Sequence, residues 1–326
     1  MLWHGHEMPV VDTHADSLLA ALKGQRHLYE ASQEGQLDFP RMKQAGHKLQ
    51  FLSCWVEPEF KPERALPRLL TFVDQFYTEV EAASSDVVPV FDKASLDRVL
   101  SSDKIGVVMS IEGSEAVGTD PRLVRVLYRL GFRLMSLTWN ERNALADGAG
   151  EDPGGGGVSR AGRLIIQEIN RIGMVLDVSH LSHAAFWDVM EISQRPVIAS
   201  HSNCRALADH RRNLTDAQIL ALARHGGIQG LTFVREFLGG AQDVDRVVDH
   251  AQHHLDLVGD DRHLGLGSDF DGVEKPVTGL EDVTRLSVLA DRMSDRGIPD
   301  ETIDRIFGGN YLRFFLERWS DFNSNT

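Results

Sequence analysis

Short apolar segments recur along the chain, and most of them are separated by stretches with helical spacing. Between the second and third segments, Leu69, Val73, Phe76 and Val80 recur every three or four positions, which is typical of one face of a helix. Short strands that alternate with helices favour a parallel sheet, and eight of them can close a barrel. We therefore predict an α/β fold, a (β/α)8 barrel of the TIM type. The predicted strands lie at 9–12, 49–56, 105–111, 134–137, 174–178, 197–199, 228–233 and 264–267.

The length of the chain fits one such barrel. A (β/α)8 barrel takes about 250 residues plus insertions, and the chain has 326 residues, of which 42% are hydrophobic. No linker rich in proline or serine divides it. We expect residues 1–326 to form a single catalytic barrel domain, with the helices of segment 281–319 packed on the barrel's exterior.

Charge and cysteine content restrict the partners and the compartment. A net charge of −14 argues against a nucleic-acid or anionic-membrane surface, because both partners need clustered Lys and Arg. Cys54 and Cys204 lie in or beside apolar stretches, which favours buried, reduced thiols. The N-terminus lacks the apolar run of a signal peptide, and no segment approaches the ~20 apolar residues of a membrane span. We expect a cytoplasmic protein.

Candidate metal ligands follow several of the predicted strands, whose carboxyl ends meet at one rim of a barrel. His14 and Asp16 follow the first strand, and residues i and i+2 of an extended segment point to the same side. Glu112 is the first charged side chain after the third segment, and its two carboxylate oxygens can bridge two metal ions. Glu115 competes for this role but lies a further step into the loop.

Two histidines follow consecutive strands in the same context. His180 and His201 each follow a serine at the end of an apolar segment, and neutral imidazoles at adjacent strand ends are good zinc ligands. A lone strand-end histidine is more often structural, but two in succession beside the other candidates favour a metal site. Asp269 follows the last segment and is placed to accept a proton from a metal-bound water.

Other histidines are not candidate ligands. His250, His253 and His254 fall on a helical pattern with acidic residues, which is typical of a solvated helix face. His4 and His6 precede the first strand in an unpatterned terminus, where we expect them to be exposed.

The strand-end motifs together resemble those of the membrane dipeptidase (renal dipeptidase) family of zinc metallopeptidases, whose fold is an amidohydrolase-type barrel. The resemblance extends from about Val10 to Phe315. Each motif alone is weak evidence for this family, whereas the whole set is specific to it. The matching motifs are Asp12-Thr13-His14-Ala15-Asp16, Ile111-Glu112-Gly113, Leu176-Asp177-Val178-Ser179-His180, Ser200-His201-Ser202, Arg211-Arg212-Asn213, Gly267-Ser268-Asp269-Phe270-Asp271-Gly272 and Gly308-Gly309-Asn310-Tyr311-Leu312-Arg313.

The resemblance implies two zinc ions per chain and a homodimeric assembly. It also implies that Asp269 activates a hydroxide that bridges the ions. Arg212 would pair with the substrate carboxylate through the planar geometry of its guanidinium group. The implied ligands are His14, Asp16 and the bridging Glu112 for one ion, and Glu112, His180 and His201 for the other.

One position departs from the family pattern. Mammalian members have a histidine, thought to stabilise the tetrahedral oxyanion, where this chain has Trp139 in Leu137-Thr138-Trp139-Asn140. An indole donates a single N–H and carries no positive charge. We therefore expect the oxyanion to be stabilised by zinc, Asn140 or Asn143, and we take Trp139 and Asn140 as candidate substrate-binding residues.

These residues favour a zinc-dependent dipeptidase that hydrolyses the peptide bond of small dipeptides by attack of a metal-bridging hydroxide. The resemblance implies tolerance of a D-residue at the C-terminal position. Two alternatives stay open. In the first, the protein is a related binuclear zinc amidohydrolase that acts on N-acyl amino acids or another small amide. Trp139, in place of the family histidine, makes such a change of substrate credible. A non-catalytic barrel would bind a small molecule, but it would not need Asp269 as a base.

Overall fold

Eight parallel strands, β1 to β8, form a closed barrel in the computed structural model, which describes residues 1–320. Pairing of Leu266 with Asp12 joins the last strand to the first and closes the barrel. Each strand overlaps one of the predicted segments, so the predicted (β/α)8 fold is confirmed. The strands are Val10–Asp12 (β1), His47–Trp55 (β2), Ile105–Glu112 (β3), Phe132–Ser136 (β4), Val175–Asp177 (β5), Ile198–Ala199 (β6), Ile228–Leu231 (β7) and Leu264–Leu266 (β8).

Helices connect the strands and surround the barrel, and local side-chain chemistry sets several of their ends. Asp120 caps a helix that has Pro121 at its first position, and Thr215 forms a capping box with Gln218. Gly173 ends another helix in the left-handed conformation, with φ of 81°. The α-helices are Ser17–Leu22, Phe39–Gln44, Ala65–Ala82, Lys93–Leu100, Pro121–Leu130, Arg160–Ile172, His183–Ile192, Asp216–Arg224, Val244–Val258, Leu286–Asp295, Asp300–Asp304 and Asn310–Ser320.

Three short strands lie outside the predicted set. Leu2–Trp3 and His6–Glu7 form an antiparallel hairpin, although the sequence of this terminus shows no strand pattern. Val87–Pro89 pairs with the first residues of β3. Strands of two or three residues are too short to show an alternation of polar and apolar positions. Their pairing therefore depends on tertiary packing.

The helix Asn310–Ser320 lies at the amino ends of the strands, where Asn310 donates a hydrogen bond to the carbonyl at the start of β8. Tyr311 extends from this helix into the barrel interior, and its hydroxyl accepts a hydrogen bond from Thr13 at 3.1 Å. Gly265 leaves the necessary space, because a Cβ there would lie 2.2 Å from the Tyr311 ring. Tyr311 and Phe315 of this helix belong to the apolar cluster that includes the inner residues of the strands, and the packing expected for the helices of segment 281–319 stays a prediction.

Two further features bear on the expectations drawn from the sequence. Among residues 1–320, no helix combines the length and the apolar character needed to cross a bilayer. Cys54 and Cys204 are buried and form no disulfide, as expected. Residues 321–326 lie outside the described part of the chain, and the single domain expected over 1–326 stays a prediction.

Candidate metal centre

The predicted metal-binding residues and the predicted base, Asp269, meet at the carboxyl end of the barrel. Parallel strands deliver the residues that follow them to the same rim, however far apart they are in the sequence. Most of these side chains are buried, and the donor atoms of neighbouring members lie within a few ångströms of one another. The residues are His14 and Asp16 after β1, Glu112 at the end of β3, His180 after β5, His201 after β6 and Asp269 after β8.

Glu112 lies at the centre of this set. Its Oε1 is 2.8 Å from Nε2 of His180 and 3.8 Å from Nε2 of His201. Its Oε2 is 3.5 Å from Nε2 of His14 and accepts a hydrogen bond from Ser53 at 3.0 Å. The two carboxylate oxygens thus face two different groups of donors, as a carboxylate that bridges two ions must.

His14, Asp16 and Asp269 form one of these groups. Nε2 of His14 lies 3.6 Å from Oδ2 of Asp16 and 3.8 Å from Oδ1 of Asp269. Within residues 1–320, His14 Nε2 and Asp16 Oδ1 are buried and have no hydrogen-bond partner. Because buried polar atoms are normally satisfied, a cation held between these groups accounts for both atoms.

The imidazoles of His180 and His201 form the other group, and their Nε2 atoms lie 2.8 Å apart. Nδ1 of His180 faces Oδ1 of Asn140 at 3.0 Å, and Nδ1 of His201 faces Oγ of Ser200 at 2.7 Å. We assign the ring proton to Nδ1 in both histidines, because these partners can accept it. Two Nε2 lone pairs then face each other, and a bound transition-metal ion would relieve their repulsion.

Two strand-end aspartates that were not among the predicted site residues hold the rim loops. Asp12, at the end of β1, accepts hydrogen bonds from the backbone N–H and the hydroxyl of Ser268, at 2.9 and 2.6 Å. Asp177, at the end of β5, accepts them from the N–H and the hydroxyl of Ser200. Each serine directly precedes a site residue on the neighbouring strand. An aspartate two or three positions before a strand-end histidine is the sequence signal that could have revealed them.

The backbone is strained where it presents these groups. His180 and Asp269 adopt the left-handed conformation, with φ of 69° and 66°, which is uncommon for residues other than glycine. Gly272 packs against the carboxylates, because a Cβ there would lie 2.2 Å from Oδ1 of Asp269 and 2.3 Å from Oδ2 of Asp16. The absence of a side chain at Gly272 thus leaves both carboxylates their space.

The electrostatics of the site favour a bound cation. Burial raises the pKa of Asp269 well above its ordinary value, and the neighbouring Asp16 and Glu112 add to this effect although His14 opposes it. Burial lowers the pKa of His14, but the two carboxylates of Glu112 and Asp16 outweigh burial and raise it well above its usual range. Burial lowers the pKa of His180 to about 3. Crowded carboxylates beside a neutral imidazole are the environment that a divalent cation would stabilise.

Arg212 lines a cavity of about 280 Å³ together with several of the predicted metal-binding residues. Arg212 is buried, and its Nη2 donates a hydrogen bond to the carbonyl of His201 at 3.3 Å. Its Nε has no hydrogen-bond partner within residues 1–320. Burial lowers the pKa of Arg212 to about 10, which leaves the group charged at neutral pH. A charged guanidinium with an unused N–H is suited to bind a carboxylate.

Trp139 and Asn140 line the same cavity. The side chain of Asn140 already contacts His180 through its carbonyl oxygen. Asn143, the other amide considered for the oxyanion, donates a hydrogen bond to the carbonyl of Leu137 at 2.8 Å and is not part of the cavity wall. Asn143 therefore holds its own loop, whereas the substrate-binding roles of Trp139 and Asn140 stay predictions.

The sequence matches a family model and known relatives over most of its length. The family model of the membrane dipeptidases, Peptidase family M19, matches residues 5–321. Dipeptidase verJ of Clonostachys rogersoniana is 37% identical over 243 residues, which are 74% of this chain and 62% of verJ, less than two thirds of that protein. Dipeptidase aclJ of Aspergillus oryzae is 33% identical over 327 residues, which are 94% of this chain and 77% of aclJ.

Solved structures share both the fold and the family. Dipeptidase AC, a metallopeptidase of family M19, has a TM-score of 0.89 and 29% identity, covering 96% of this chain and 99% of its own. A metallopeptidase from Rhodobacter sphaeroides, liganded with a phosphinate mimic of the dipeptide L-Ala-D-Ala, has a TM-score of 0.89 and 28% identity, covering 96% and 100%. With a family model matched along nearly its whole length, this chain belongs to the membrane dipeptidase family of metallopeptidases, Peptidase family M19.

Proposed function

We propose that this protein is a zinc-dependent dipeptidase that hydrolyses dipeptides with a free C-terminal carboxylate. One observation carries the proposal: four of the predicted site residues and the guanidinium of Arg212 line a single cavity of about 280 Å³, the four being Asp16, Glu112, His180 and Asp269. A carboxylate anchor beside a metal site matches a small substrate that has its scissile bond one residue from its carboxyl end. Family membership and the relatives named dipeptidase support the same reaction.

The donor set fits two divalent ions joined by one carboxylate. Neutral imidazoles together with carboxylates are the ligands that catalytic zinc sites use. When bound, the ions supply positive charge that polarises the scissile carbonyl and lowers the pKa of the attacking water. The residues that would hold the ions are His14, Asp16 and Glu112 for the first, and Glu112, His180 and His201 for the second.

Arg212 and Asp269 then have separate tasks. Arg212 holds the substrate carboxylate and so fixes the position of the scissile bond. Asp269 takes a proton from the attacking water and delivers it to the leaving amine, which a carboxyl group with a raised pKa can do near neutral pH. Oδ1 of Asp269 lies 3.8 Å from Nε2 of His14, at the edge of the donor set where the reacting atoms would sit.

We propose that L,D-dipeptides are substrates as well as L,L-dipeptides. The relative from Rhodobacter sphaeroides was solved with a phosphinate mimic of L-Ala-D-Ala, which supports this extension. The physical reason is that Arg212 holds the C-terminal residue by its carboxylate. A contact of that kind depends little on which way the side chain of that residue points.

A hydrolysis panel on metal-analysed protein tests the proposal. The panel contains matched L,L and L,D dipeptides, a dipeptide amide that lacks the carboxylate, and an N-acyl amino acid. We expect hydrolysis of both dipeptide series, little hydrolysis of the amide, loss of activity with a chelator and recovery with zinc. Faster cleavage of the N-acyl amino acid than of the dipeptides would favour the alternative function, an amidohydrolase that acts on N-acyl amino acids. Less than one metal ion per chain, together with no hydrolysis of any compound in the panel, would favour a non-catalytic barrel that binds a small molecule.

We also propose that the protein acts in the cytoplasm as a homodimer, without a nucleic-acid or membrane partner. The net charge of −14 supports the absence of the two anionic partners. Sedimentation velocity on the full chain measures the assembly, and a monomer at micromolar concentration would contradict the dimer.

A further inference from the structure

Two tryptophans line the cavity that contains Arg212. Arg212 follows β6, and β2, which ends at Trp55, lies on the opposite side of the eight-stranded barrel. Trp139 follows β4, but its ring reaches Trp55, with 5.2 Å between the ring centroids. All three residues line the same cavity. A dipeptide held by its carboxylate at Arg212 therefore extends its N-terminal residue toward these tryptophans.

The two indoles present a broad aromatic surface to that residue. Their planes are inclined at 55° to each other, so that they form a shallow wedge rather than a flat wall. The ring of Trp139 also lies 5.9 Å from the ring of His180, which places the wedge directly beside the donor set. Aromatic surfaces of this size favour contact with an apolar or aromatic side chain.

Lys61 lies behind this wedge. Its Nζ is 5.7 Å from the centroid of Trp55 and 5.6 Å from that of Trp139, within the range of a cation–π interaction. Nζ is 3.5 Å from Oε1 of Glu115 and has no hydrogen-bond partner within residues 1–320. Lys61 and Glu115 line a separate cavity of about 390 Å³ and do not line the one that contains Arg212. The ammonium group therefore contacts the indoles from the side away from the substrate.

We propose that Trp55 and Trp139 form the pocket for the side chain of the dipeptide's N-terminal residue. We propose further that Lys61 makes this pocket select apolar side chains against basic ones. The inference rests on the proposed dipeptidase function and narrows its substrates. A bare pair of indoles would attract a cationic side chain. Because the ammonium group of Lys61 already lies over both rings, a second cation would gain less from them, whereas an apolar side chain gains from burial.

Four dipeptides with one common C-terminal residue test both parts. Norleucine and lysine at the N-terminal position have unbranched side chains of similar length and differ mainly in charge, whereas phenylalanine and alanine differ in apolar size. We expect wild-type kcat/KM to favour norleucine over lysine, and phenylalanine over alanine, each by about tenfold. Failure to hydrolyse any of the four would overturn the proposed function, while equal rates on all four would overturn the pocket alone.

Variants assign the selectivity to residues. Lys61→Met combined with Glu115→Gln removes the ammonium group together with its ion-pair partner, so that no unpaired carboxylate is left near the rings. In this double variant the norleucine-to-lysine ratio should fall several-fold while the phenylalanine-to-alanine ratio stays. Trp139→Ala should lower the phenylalanine-to-alanine ratio, and Trp139→Phe should largely keep it. Trp187→Phe, at a partly exposed tryptophan outside the cavity, is the matched control.

Two results would contradict these assignments. An unchanged norleucine-to-lysine ratio in the double variant Lys61→Met, Glu115→Gln would rule out Lys61 as the selective element. An unchanged phenylalanine-to-alanine ratio in Trp139→Ala would rule out the aromatic pocket. Thermal unfolding checks each variant, and Trp139→Leu replaces Trp139→Ala if the smaller side chain prevents folding.

Discussion

Nδ1 of His201 lies 2.7 Å from the hydroxyl oxygen of Ser200. Ser200 donates its own proton to the buried carboxylate of Asp177, so it is free to accept the Nδ1 proton of His201. This chain of hydrogen bonds holds the imidazole in the tautomer whose Nε2 lone pair faces Glu112 and the metal site. Partners of this kind, one step removed from the metal, orient ligands and contribute to metal affinity.

We therefore expect Ser200→Ala to weaken zinc binding by about 10- to 100-fold. Competition with a chromophoric chelator measures the affinity, and thermal unfolding of the metal-free protein separates it from any loss of stability. Ser193→Ala is the matched control, because Ser193 is also buried but donates to the carbonyl of Arg195, outside the site. An affinity equal to that of the control would show that Ser200 does not orient His201.

The Asp269→Asn variant should retain its metal ions but lose most of its hydrolytic activity. The amide is nearly the same size but cannot take up a proton, so we expect kcat to fall by about 10²- to 10⁴-fold. Metal content per chain should stay close to wild type, because other side chains supply the proposed ligands. Mass-spectrometric metal analysis and steady-state kinetics on one cleaved dipeptide measure both. Asp256→Asn, at an exposed position, is the control, and near-normal turnover in Asp269→Asn would show that another group is the base.

Gly272→Ala should damage the site without unfolding the protein. The added Cβ would lie 2.2 Å from Oδ1 of Asp269 and 2.3 Å from Oδ2 of Asp16, and rotation of these carboxylates relieves the clash more easily than movement of the backbone. We expect at least about a tenfold loss of kcat/KM, with thermal stability close to wild type. Gly154→Ala is the control, since a Cβ there has 3.9 Å to its nearest neighbour. Full activity in Gly272→Ala would show that the carboxylates tolerate displacement.

His250 should make the protein less stable in mild acid. His250 is buried, its Nδ1 accepts a hydrogen bond from the backbone of Cys204 at 3.1 Å, and its Nε2 lies 3.0 Å from the carbonyl of Leu238. These contacts suit the neutral ring, and burial lowers its pKa to about 4. The unfolded chain takes up this proton near pH 6.5, so below that pH the unfolded state binds more protons than the folded state. The free energy of unfolding should therefore fall as the pH drops from 6.5 to about 4.

Urea unfolding of the same metal-free preparation across this pH range measures the effect. We expect protonation of His250 to lower the free energy of unfolding of the wild type by up to roughly 3 kcal/mol over this range. The His250→Gln variant should not show this contribution, because glutamine takes up no proton there. His253→Gln is the control, since His253 lies on the same helix but is partly exposed. Equal pH slopes for the wild type and His250→Gln would show that other groups cause the acid sensitivity.

Burial of His250 also shows where periodicity failed. The helical pattern placed His250, His253 and His254 on a solvated face, yet His250 and His254 are buried. Nδ1 of His254 lies 2.8 Å from Oε1 of Gln229, a side chain of β7. A hydropathy pattern classifies histidine as polar and cannot anticipate a buried partner from a strand distant in sequence.

The ends of the strands, by contrast, could be predicted from the sequence. Apolar segments of strand length show where each barrel strand stops, and in a parallel barrel all these ends share one rim. For that reason Glu112 and His180 could be expected at one rim before their distance was known, although many residues separate them in the chain; that they share an ion was implied by the family resemblance. Asp12 and Asp177 were missed because their role is to hold backbone N–H groups of a neighbouring strand.

Periodicity and strand-end chemistry thus predict the barrel, the rim and the residue types suited to bind metal, because these depend on local pattern and on the order of parallel strands. The folded chain alone specifies which atoms face each other. The two oxygens of Glu112 turn toward His14 and His180, Gly272 leaves space for two carboxylates, and Tyr311 enters the barrel interior. These relationships depend on rotamers and on packing between elements distant in the sequence, which no single segment encodes.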